Sequence, residues 1–363
     1  MKTSTSSVES FEDGFKNFAN TPAMDSRSSG GFRVYSPSSD VRLQFMNDVE
    51  AGFSKPLKAI PSHWLYDARG SRLFTEITAL EEYDLTRNEM SILQSHGRDI
   101  AKALSDRKWR IIELGAGDGV KTEVLLRAFM NEAVEIEYWP IDVSPSALED
   151  LCSRMSEKIP GLVCHPTVGD NLQGLKEIAA HRKLEGLLIL DLGSSIGNRS
   201  RAAVEKNLRE VRSQLSQGDA MLVGFDLIKE TNRMIAAYDD KRGVTRAFNL
   251  NLLDRMNREL GAEFDISSFK HEATWNPEIN GMESWLISLR DQDVYFRSMG
   301  RTFHFRKWEP IHTEISLKFS THEIQRLANL TDFREVFSLT DKNQNFTDVL
   351  WKAKGHDFSR PLH

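Results

Sequence analysis

A doubly wound α/β fold, in which helices alternate with the strands of a parallel sheet, is predicted for the central part of this 363-residue chain. Three observations predict it. Short apolar stretches recur between residues 109 and 226, segments of helical periodicity separate them, and a glycine-rich turn follows the first apolar stretch. This alternation indicates parallel strands, because each crossover helix carries the chain back to the start of the next strand.

The elements of the sheet follow one another in a simple order. The first strand is WRIIEL, its turn is GAGDG, and the helix VKTEVLLRAFMNEA leads to a second strand, IEYWPID. Ser144 is placed to cap the next helix, SPSALEDLCSRM, since its side chain can accept a hydrogen bond from the first helical turn. The strand LEGLLILDLG, the helix RAAVEKNLREVRSQL and the strand AMLVGFDL come next. The helix STHEIQRLANL and the strand NFTDVLWKAKG are expected to return to the same sheet.

The alternation breaks after Asp226, which indicates a second structural unit. A long helical stretch is followed by the alternation and short turns of an antiparallel meander. We therefore predict an inserted α+β lobe made of residues 41–90 and 228–318, and a sheet domain made of residues 91–227 and 319–355. Residues 1–40, which are rich in Ser and Gly, and residues 356–363 are predicted to be flexible tails.

Composition restricts the class of protein. A hydrophobic fraction of 40% and a charged fraction of 28% are those of a globular protein. The net charge is -6 and the Lys and Arg residues are scattered, so no basic face for nucleic acid is visible. The first 40 residues contain neither a secretory signal nor a membrane span. Cys152 and Cys164 match no metal or disulfide framework, so we expect two unpaired thiols and a cytoplasmic protein.

The glycine-rich turn predicts a ligand of a particular charge. Gly115, Gly117 and Gly119 lie between strand and helix, but the third glycine comes one residue too early for the dinucleotide fingerprint. Glu113 and Asp118 flank the turn, and their carboxylates would repel a pyrophosphate. A nucleoside that lacks phosphates and carries a positive charge is therefore favoured, and S-adenosylmethionine (SAM) has both properties.

Two aspartates strengthen this interpretation. Asp142 ends the second strand, where a carboxylate can accept hydrogen bonds from both ribose hydroxyls. Asp170 ends the next predicted strand and can accept a hydrogen bond from an adenine amino group. A glycine turn alone is common without any ligand, so the order of strand, turn, helix and Asp142 is what favours SAM. The chemistry expected is methyl transfer to a neutral nucleophile.

The stretch IHTEISLKFS, near the end of the predicted lobe, alternates like a strand. A period of two places one set of side chains on one face and Glu314, Ser316 and Lys318 on the other. Taken alone, this is also the pattern of a strand with one solvated face. His312 is interpreted as a surface or packing residue, and no metal site is predicted because no further ligands lie at a useful spacing.

Seven longer motifs carry a family resemblance between about residue 41 and residue 353. They read WLYDARGSRLF, EEYDLTRNE, ELGAGDGVKT, PIDVSPSAL, LGSSIGN, AAYDDKRGVTRAFNLNLLDRMNRELGAEFD and TEISLKF. Together, and in this order, they resemble the histidine-specific Nα-methyltransferases of ergothioneine biosynthesis. The resemblance implies a class I, Rossmann-like methyltransferase domain with an inserted amino-acid-binding lobe, which agrees with the organisation predicted above.

The resemblance also implies roles for individual residues. The residues that match cofactor contacts, or lie within the same motifs, are Tyr83, Gly115, Gly117, Lys121, Asp142, Asp170 and Asn171. Tyr66, Asn198 and Tyr238 match residues that hold the amino and carboxylate end of the substrate beside the reacting nitrogen, so we also expect them to be catalytic. Glu314 and Ser316 match the pair that recognises an imidazole ring, and Phe74 and Ser284 complete the expected substrate pocket.

Several of these residues have simpler explanations. Tyr66 and Tyr238 could be core aromatics, and Asn198 could cap the following helix. Asn171, Asp191 and Ser284 depart from the family pattern, which commonly has an aromatic, an apolar residue and a bulkier methionine at these places. The extra room leaves tryptophan or its prenylated derivative, on which fungal relatives act, as an alternative substrate. An indole has no acceptor nitrogen, however, so the pair Glu314 and Ser316 favours imidazole.

We therefore expect an enzyme that uses SAM, without a metal, to methylate the α-nitrogen of L-histidine. The expected product is N,N,N-trimethylhistidine (hercynine), a precursor of ergothioneine. Methylation of another amino acid and a non-catalytic SAM-binding role remain the alternatives. No residue stands out as the general base, and Tyr66, Tyr238 or a water could relay the proton. We expect a monomer that binds a small amino-acid substrate and contacts neither nucleic acid nor a membrane.

Overall fold

Strands and helices alternate through most of the chain that the structure describes, residues 33–35, 41–182 and 185–355 of a computed structural model. The strands are β1 (Arg33–Tyr35), β2 (Lys58–Ala59), β3 (Trp109–Leu114), β4 (Ile136–Asp142), β5 (Val163–Cys164), β6 (Thr167–Gly169), β7 (Gly186–Asp191), β8 (Ala220–Asp226), β9 (Phe269–Asn276), β10 (Gly281–Ser288), β11 (Gln292–Phe296), β12 (Arg301–Phe305), β13 (Pro310–Leu317), β14 (Phe333–Thr340) and β15 (Phe346–Ala353). The α-helices are α1 (Val41–Phe53), α2 (Ala68–Thr78), α3 (Leu85–Ala103), α4 (Val120–Asn131), α5 (Pro145–Lys158), α6 (Asn171–Ala180), α7 (Arg201–Ser213), α8 (Thr231–Tyr238), α9 (Val244–Leu260) and α10 (Thr321–Leu330).

The large sheet has the doubly wound order that the sequence predicts. Its strands lie in the order β1-β6-β4-β3-β7-β8-β15-β14, with β5 beside β4. β3 pairs in parallel with both β4 and β7, and β15 runs antiparallel to both β8 and β14. The chain leaves β3 toward one edge and returns to β7 on its other side. This reversal creates a crevice at the carboxyl ends of the strands, which is where ligands bind in such sheets.

A second sheet lies in the region predicted as the inserted lobe. Its order is β2-β13-β10-β9, and β11 and β12 form a separate hairpin. An apolar core joins these strands to α1, α8 and α9, with closely packed rings such as Phe53, Phe264 and Phe305. Residues from both stretches assigned to the lobe contribute to this core. The domain boundaries themselves stay a prediction.

Several local predictions can be compared directly with the structure. The Ser144 cap is confirmed, because its Oγ accepts a hydrogen bond from the Ala147 N–H at 3.3 Å. The helical stretch predicted after Asp226 consists of two helices, α8 and α9. Asp240 accepts from the N–H groups of Val244 and Thr245, at 3.0 and 2.7 Å, at the start of α9. Strand β14 was not predicted. Its alternation of buried and exposed residues is irregular, so it carries a weak signal.

Two expectations from composition need correction. Arg33–Tyr35 pair in parallel with β6 as an edge strand, so the prediction of a flexible tail is wrong for these three residues. The rest of both predicted tails lies outside the described residues.

Cys152 and Cys164 are joined by a disulfide between α5 and β5, so the prediction of two free thiols is wrong. Among the described residues, no helix is long and apolar enough to cross a membrane.

Glycines at the turn after β3 serve two different purposes. Gly119 has a φ of +59°, and a Cβ there would lie 2.3 Å from Leu151 Cδ1, inside the packed core between α4 and α5. Gly117 has a φ of +53°, but nothing lies within 4 Å of the place where its Cβ would stand. Gly119 therefore serves packing, whereas Gly117 leaves the crevice open.

We expect Gly119→Ala to lower the free energy of unfolding by about 2–5 kcal/mol, since left-handed backbone strain and overpacking add. Gly117→Ala, the matched control, should lose only about 1–2 kcal/mol from backbone strain. Urea denaturation of both variants measures the difference. Equal losses would contradict the distinction between the two glycines.

Candidate active site

The glycine-rich turn is fixed to the two strand ends beside it. The Gly115 N–H donates to the Ile141 carbonyl and to Asn171 Oδ1, each at 3.0 Å. The Gly117 N–H donates to Asp142 Oδ2 at 3.1 Å, and Asp142 Oδ1 accepts from the Ser144 N–H at 3.0 Å. Four predicted cofactor residues, Gly115, Gly117, Asp142 and Asn171, thus meet at the carboxyl ends of β3 and β4.

The chemistry of this edge suits a nucleoside that carries a positive charge. Asp142 supplies a carboxylate, and the next residue, Val143, is 73% exposed and offers an apolar surface beside it. Asp170 Oδ1 caps α6 by accepting from the Leu172 and Gln173 N–H groups at 2.9 and 3.0 Å, and its other oxygen takes no part in the cap. Acidic Asp118 lies exposed on the turn. Carboxylates in this number disfavour a pyrophosphate.

Glu113, which flanks the turn in the sequence, has a buried carboxylate. Its side chain is buried under the turn, where it accepts hydrogen bonds from the hydroxyls of Thr122 and Tyr138. Burial raises the pKa of Glu113 to about 7, because a charged carboxylate loses its hydration there. Glu113 therefore anchors α4 and β4 to the base of the turn.

Lys121 contacts a buried acid that was not predicted as a site residue. Its ammonium group forms an ion pair with Glu89 of α3, which is fully buried. The other Glu89 oxygen accepts from the Gly193 N–H at 2.6 Å. Space for Glu89 exists because residue 224 is a glycine, whose Cβ would lie 2.3 Å from Glu89 Oε1. The predicted cofactor contact Lys121 thus lies beside the loop that follows β7.

The loop after β7 carries Asn198 toward the second sheet. Gly197 packs so closely that a Cβ would lie 2.9 Å from the Leu317 carbonyl oxygen of β13. Asp191 is buried at the start of the loop and accepts a hydrogen bond from Ser195. Ser200, rather than Asn198, caps α7, since its Oγ accepts from the Ala203 N–H at 3.3 Å. The helix-cap explanation for Asn198 is therefore wrong.

Aromatic rings from five parts of the chain pack into one cluster, which we assign as the candidate substrate pocket. Tyr66 lies 5.3 Å from both Phe74 and Phe248 between ring centroids. Tyr83 lies 6.2 Å from Phe74 and 6.3 Å from Tyr238. Burial raises the pKa of Tyr66, Tyr83 and Tyr238, so all three phenols stay neutral at ordinary pH. The structure brings the predicted aromatic residues together and adds Phe248, which was missed.

Glu314 and Ser316 lie on β13 beside this pocket. Ser284 is opposite Glu314 in the sheet register, and its Oγ donates to Glu314 Oε2 at 3.4 Å. The Tyr238 hydroxyl donates to Ser316 Oγ at 2.7 Å. Burial raises the pKa of Glu314 to about 7, an effect that the positive charge of Lys318 and the Ser284 hydrogen bond partly offset. The polar face of β13 is thus an inner wall of the pocket, and the solvated alternative is wrong.

Two charged residues at the base of the pocket were missed as site residues. Lys318 is fully buried, and its Nζ lies 2.8 Å from Asp226 Oδ2. The alternation of the sequence had placed Lys318 on the same strand face as Glu314, and this was the sequence signal that could have identified it.

His312 is buried against Trp285, with ring centroids 4.6 Å apart, as a packing residue. No group of three or more His, Cys, Asp or Glu side chains in the described part of the chain could hold a metal ion.

The doubly wound order and the ligand crevice agree with the class I, Rossmann-like methyltransferase fold expected from the sequence. Residues 45–353 match the family described as histidine-specific, SAM-dependent methyltransferases, and the chain belongs to that family.

Named relatives agree with this membership. The chain is 35% identical over 299 residues to histidine N-alpha-methyltransferase of Mycolicibacterium smegmatis, a match that covers 82% of this chain and 92% of the relative. It is 36% identical to the Mycobacterium tuberculosis protein of the same name, over 76% of this chain and 85% of the relative. Ergothioneine biosynthesis protein 1 of Neurospora crassa is 32% identical over 82% of this chain, which spans 33% of that longer protein.

The raised pKa of Glu314 predicts a pH-dependent cost to stability. The pKa of the Glu314 carboxyl group is about 7 in the folded protein, compared with 4.5 for an unperturbed glutamate. Its contribution to stability is therefore fully present below about pH 4.5 and is lost as the pH rises through about 7. Glu314→Gln should therefore gain stability relative to the unaltered protein as the pH rises, by a few kcal/mol at about pH 8.5 and little at about pH 5. Urea denaturation without ligands at both pH values measures it. A stability difference independent of pH would contradict the assignment.

Proposed function

We propose that this protein transfers methyl groups from SAM to the α-amino nitrogen of L-histidine. The observation that carries the proposal is the position of Glu314 and Ser316 on one inner wall of an aromatic pocket, with Tyr238 bonded to Ser316. Family membership and the named relatives support the same reaction.

The pair on β13 suits an imidazole ring because it offers complementary hydrogen-bonding groups. Neutral imidazole has one N–H donor and one acceptor nitrogen. Ionised Glu314 accepts from the N–H, while the Ser316 hydroxyl donates to the acceptor nitrogen. Ser284 donates to one oxygen of Glu314 and so holds the carboxylate in place. An indole offers a donor but no acceptor nitrogen, which would leave Ser316 unsatisfied.

The amino and carboxylate end of the substrate is assigned to Tyr66, Tyr238 and Asn198. As neutral phenols, Tyr66 and Tyr238 can accept hydrogen bonds from an amino group, but their raised pKa makes them poor bases. They position the nitrogen and pass its proton toward water. The loop of Asn198 packs on β13 at Gly197, which supports the assignment, and the Asn198 amide can donate to a carboxylate.

The other half of the site is assigned to the cofactor. When bound, SAM supplies an electrophilic methyl group on a positively charged sulfur. In this assignment Asp142 and Asp170 accept hydrogen bonds from its nucleoside, and Val143 packs against it. The open turn at Gly115 and Gly117 lets it approach the backbone. Asn171, which holds the turn, and Tyr83, at the pocket boundary, complete this assignment together with Lys121.

The cellular setting remains part of the proposal. We infer trimethylation to hercynine for ergothioneine synthesis, without a metal, by a monomer that contacts neither nucleic acid nor a membrane. A cytoplasmic location is also inferred, although the Cys152–Cys164 disulfide is unusual for that compartment.

Mass spectrometry tests the proposed reaction. Purified protein is incubated with SAM and, in separate reactions, each standard amino acid. Histidine alone should gain the mass of three methylene groups. Methylation of tryptophan in place of histidine would show that the pocket selects an indole, and no product from any amino acid would contradict the proposed activity.

We expect Glu314→Gln to lower kcat/KM for histidine about 100-fold or more, because an amide cannot provide the charge-assisted hydrogen bond to the ring N–H. Glu278→Gln, which changes an exposed carboxylate in the same region, is the matched control and should keep full activity. Steady-state kinetics at saturating SAM measure both. Unchanged kcat/KM in Glu314→Gln would exclude Glu314 from ring recognition.

A further inference from the structure

A fully buried ammonium group lies at the base of the proposed histidine pocket. Lys318 follows β13 directly, and its side chain has three oxygen partners: Tyr238 OH at 2.9 Å, Ser316 Oγ at 3.0 Å and Asp226 Oδ2 at 2.8 Å. An ammonium group has three donors and no acceptor. All three donors are therefore used within the protein, and Lys318 has none left for a substrate.

The contacts of Lys318 restrict the hydrogen bonds that the Tyr238 and Ser316 hydroxyls can form with a ligand. The two hydroxyls together have two hydrogens and four lone pairs. Lys318 occupies one lone pair on each oxygen, and the hydrogen bond between the hydroxyls uses one hydrogen and one further lone pair. One hydrogen and one lone pair remain, and they lie on different oxygens. With Tyr238 donating to Ser316, the free hydrogen belongs to Ser316 and the free lone pair to Tyr238.

This arrangement matches the two groups of the proposed substrate. The Ser316 hydrogen can be donated to the acceptor nitrogen of imidazole, and the Tyr238 lone pair can accept an N–H of the amino group. Without Lys318, the two hydroxyls would keep three free lone pairs beside the one hydrogen, so either could act as acceptor toward a ligand. The ammonium group thus removes the alternatives that would suit a different ring.

We propose that Lys318 is a positioning residue that restricts Ser316 and Tyr238 to one free hydrogen and one free lone pair, on different oxygens, and thereby makes the pocket selective for an imidazole ring. This inference rests on the proposed histidine methylation and deepens it, since it identifies a determinant of specificity that touches no substrate.

The charges behind Lys318 keep it in place. Asp226 also pairs with Lys229, at 2.7 Å, and Lys229 lies 3.3 Å from Asp84. Asp84 also pairs with Arg233 at 2.6 Å, and the Arg233 side chain is partly exposed to solvent. A buried lysine with such a partner keeps its charge, and Asp226 raises the pKa of Lys318 above its usual range against the opposing effect of burial.

Lys318 also influences the ionisation of Glu314. Two groups act directly on the Glu314 carboxylate: the Ser284 hydroxyl from β10 and the Lys318 charge from the end of its own strand, with Asp226 of β8 behind Lys318. Three tyrosines face it from other elements, namely Tyr66 before α2, Tyr83 before α3 and Tyr238 of α8. The tyrosines are neutral, and the Lys318 charge lowers the pKa of Glu314 against burial. Removing that charge should therefore move Glu314 ionisation to higher pH.

The test compares Lys318→Met with the unaltered protein on histidine and on β-(2-thienyl)alanine, whose ring has neither an N–H nor an acceptor nitrogen. We expect kcat/KM for histidine to fall roughly 10- to 100-fold, mainly through KM, and the preference for histidine over the thienyl analogue to fall by at least about 10-fold. The ratio of variant to unaltered kcat/KM for histidine should rise with pH, because the Glu314 pKa is higher in the variant. Substrate ionisation cancels in this ratio.

A second variant separates positioning from folding. Lys318→Met with Asp226→Asn removes both charges of the pair, so no unpaired charge stays buried, and calorimetric titration with S-adenosylhomocysteine reports whether the cofactor site is intact. If the double variant binds S-adenosylhomocysteine normally but still lacks the histidine preference, the proposal holds. If the double variant recovers the preference, or Lys318→Met never loses it, the proposal is overturned. The unaltered protein tests the proposed function separately, since its failure to methylate histidine contradicts that function whatever the variants do.

Discussion

The buried pairing of Lys318 with Asp226 is the interaction on which the relation between the two sheets depends. Asp226 ends β8 of the large sheet, and Lys318 follows β13 of the second. Backbone bonds reinforce this junction, since the Phe319 N–H donates to the Asp226 carbonyl at 2.9 Å and the Ile228 N–H to the Phe319 carbonyl at 3.1 Å. Breaking such a pair by removing one partner typically costs about 3–5 kcal/mol. Because the junction lies next to Ser316 and Tyr238, the same interaction holds the two sheets together and positions the residues of the proposed pocket.

Hydrophobic periodicity and turn residues were sufficient to predict most strands of the large sheet from the sequence. Strands such as β3, β7 and β8 are buried along their whole length, so each reads as an apolar run with a clear beginning and end. β1 and β14 could not be read in this way. β1 has three residues whose pairing depends on β6, and β14 has an irregular burial pattern with a register shift between Glu335 and Phe337. Their position depends on tertiary contacts that local sequence does not contain.

The candidate site shows a similar limit. Residues within long family motifs, such as Glu314 and Tyr238, could be proposed from sequence because their neighbours identify them. Lys318 and Glu89 were missed although they lie within the motifs TEISLKF and EEYDLTRNE, and Asp226 was missed at the end of its strand, since in a sequence a buried charge looks the same as a solvated one. Only folding shows that Lys318 is paired and that Glu89 fits against Gly224. The two cysteines illustrate the same point, because their pairing follows from the approach of α5 to β5.

The aromatic walls of the pocket have a consequence for the end of the proposed reaction. Each methyl group added to an amine removes one N–H, so recognition by hydrogen bonds to the nitrogen weakens at every step. The faces of Tyr and Phe rings attract a cation through their negative electrostatic surface, and a quaternary ammonium retains that attraction when no N–H is left. In the proposed pocket such faces would come from Tyr66, Phe74, Tyr83 and Tyr238, whose neighbouring ring centroids lie 5.3–6.3 Å apart. The proposed pocket would therefore hold partly methylated intermediates through successive rounds, which would favour processive methylation over early release.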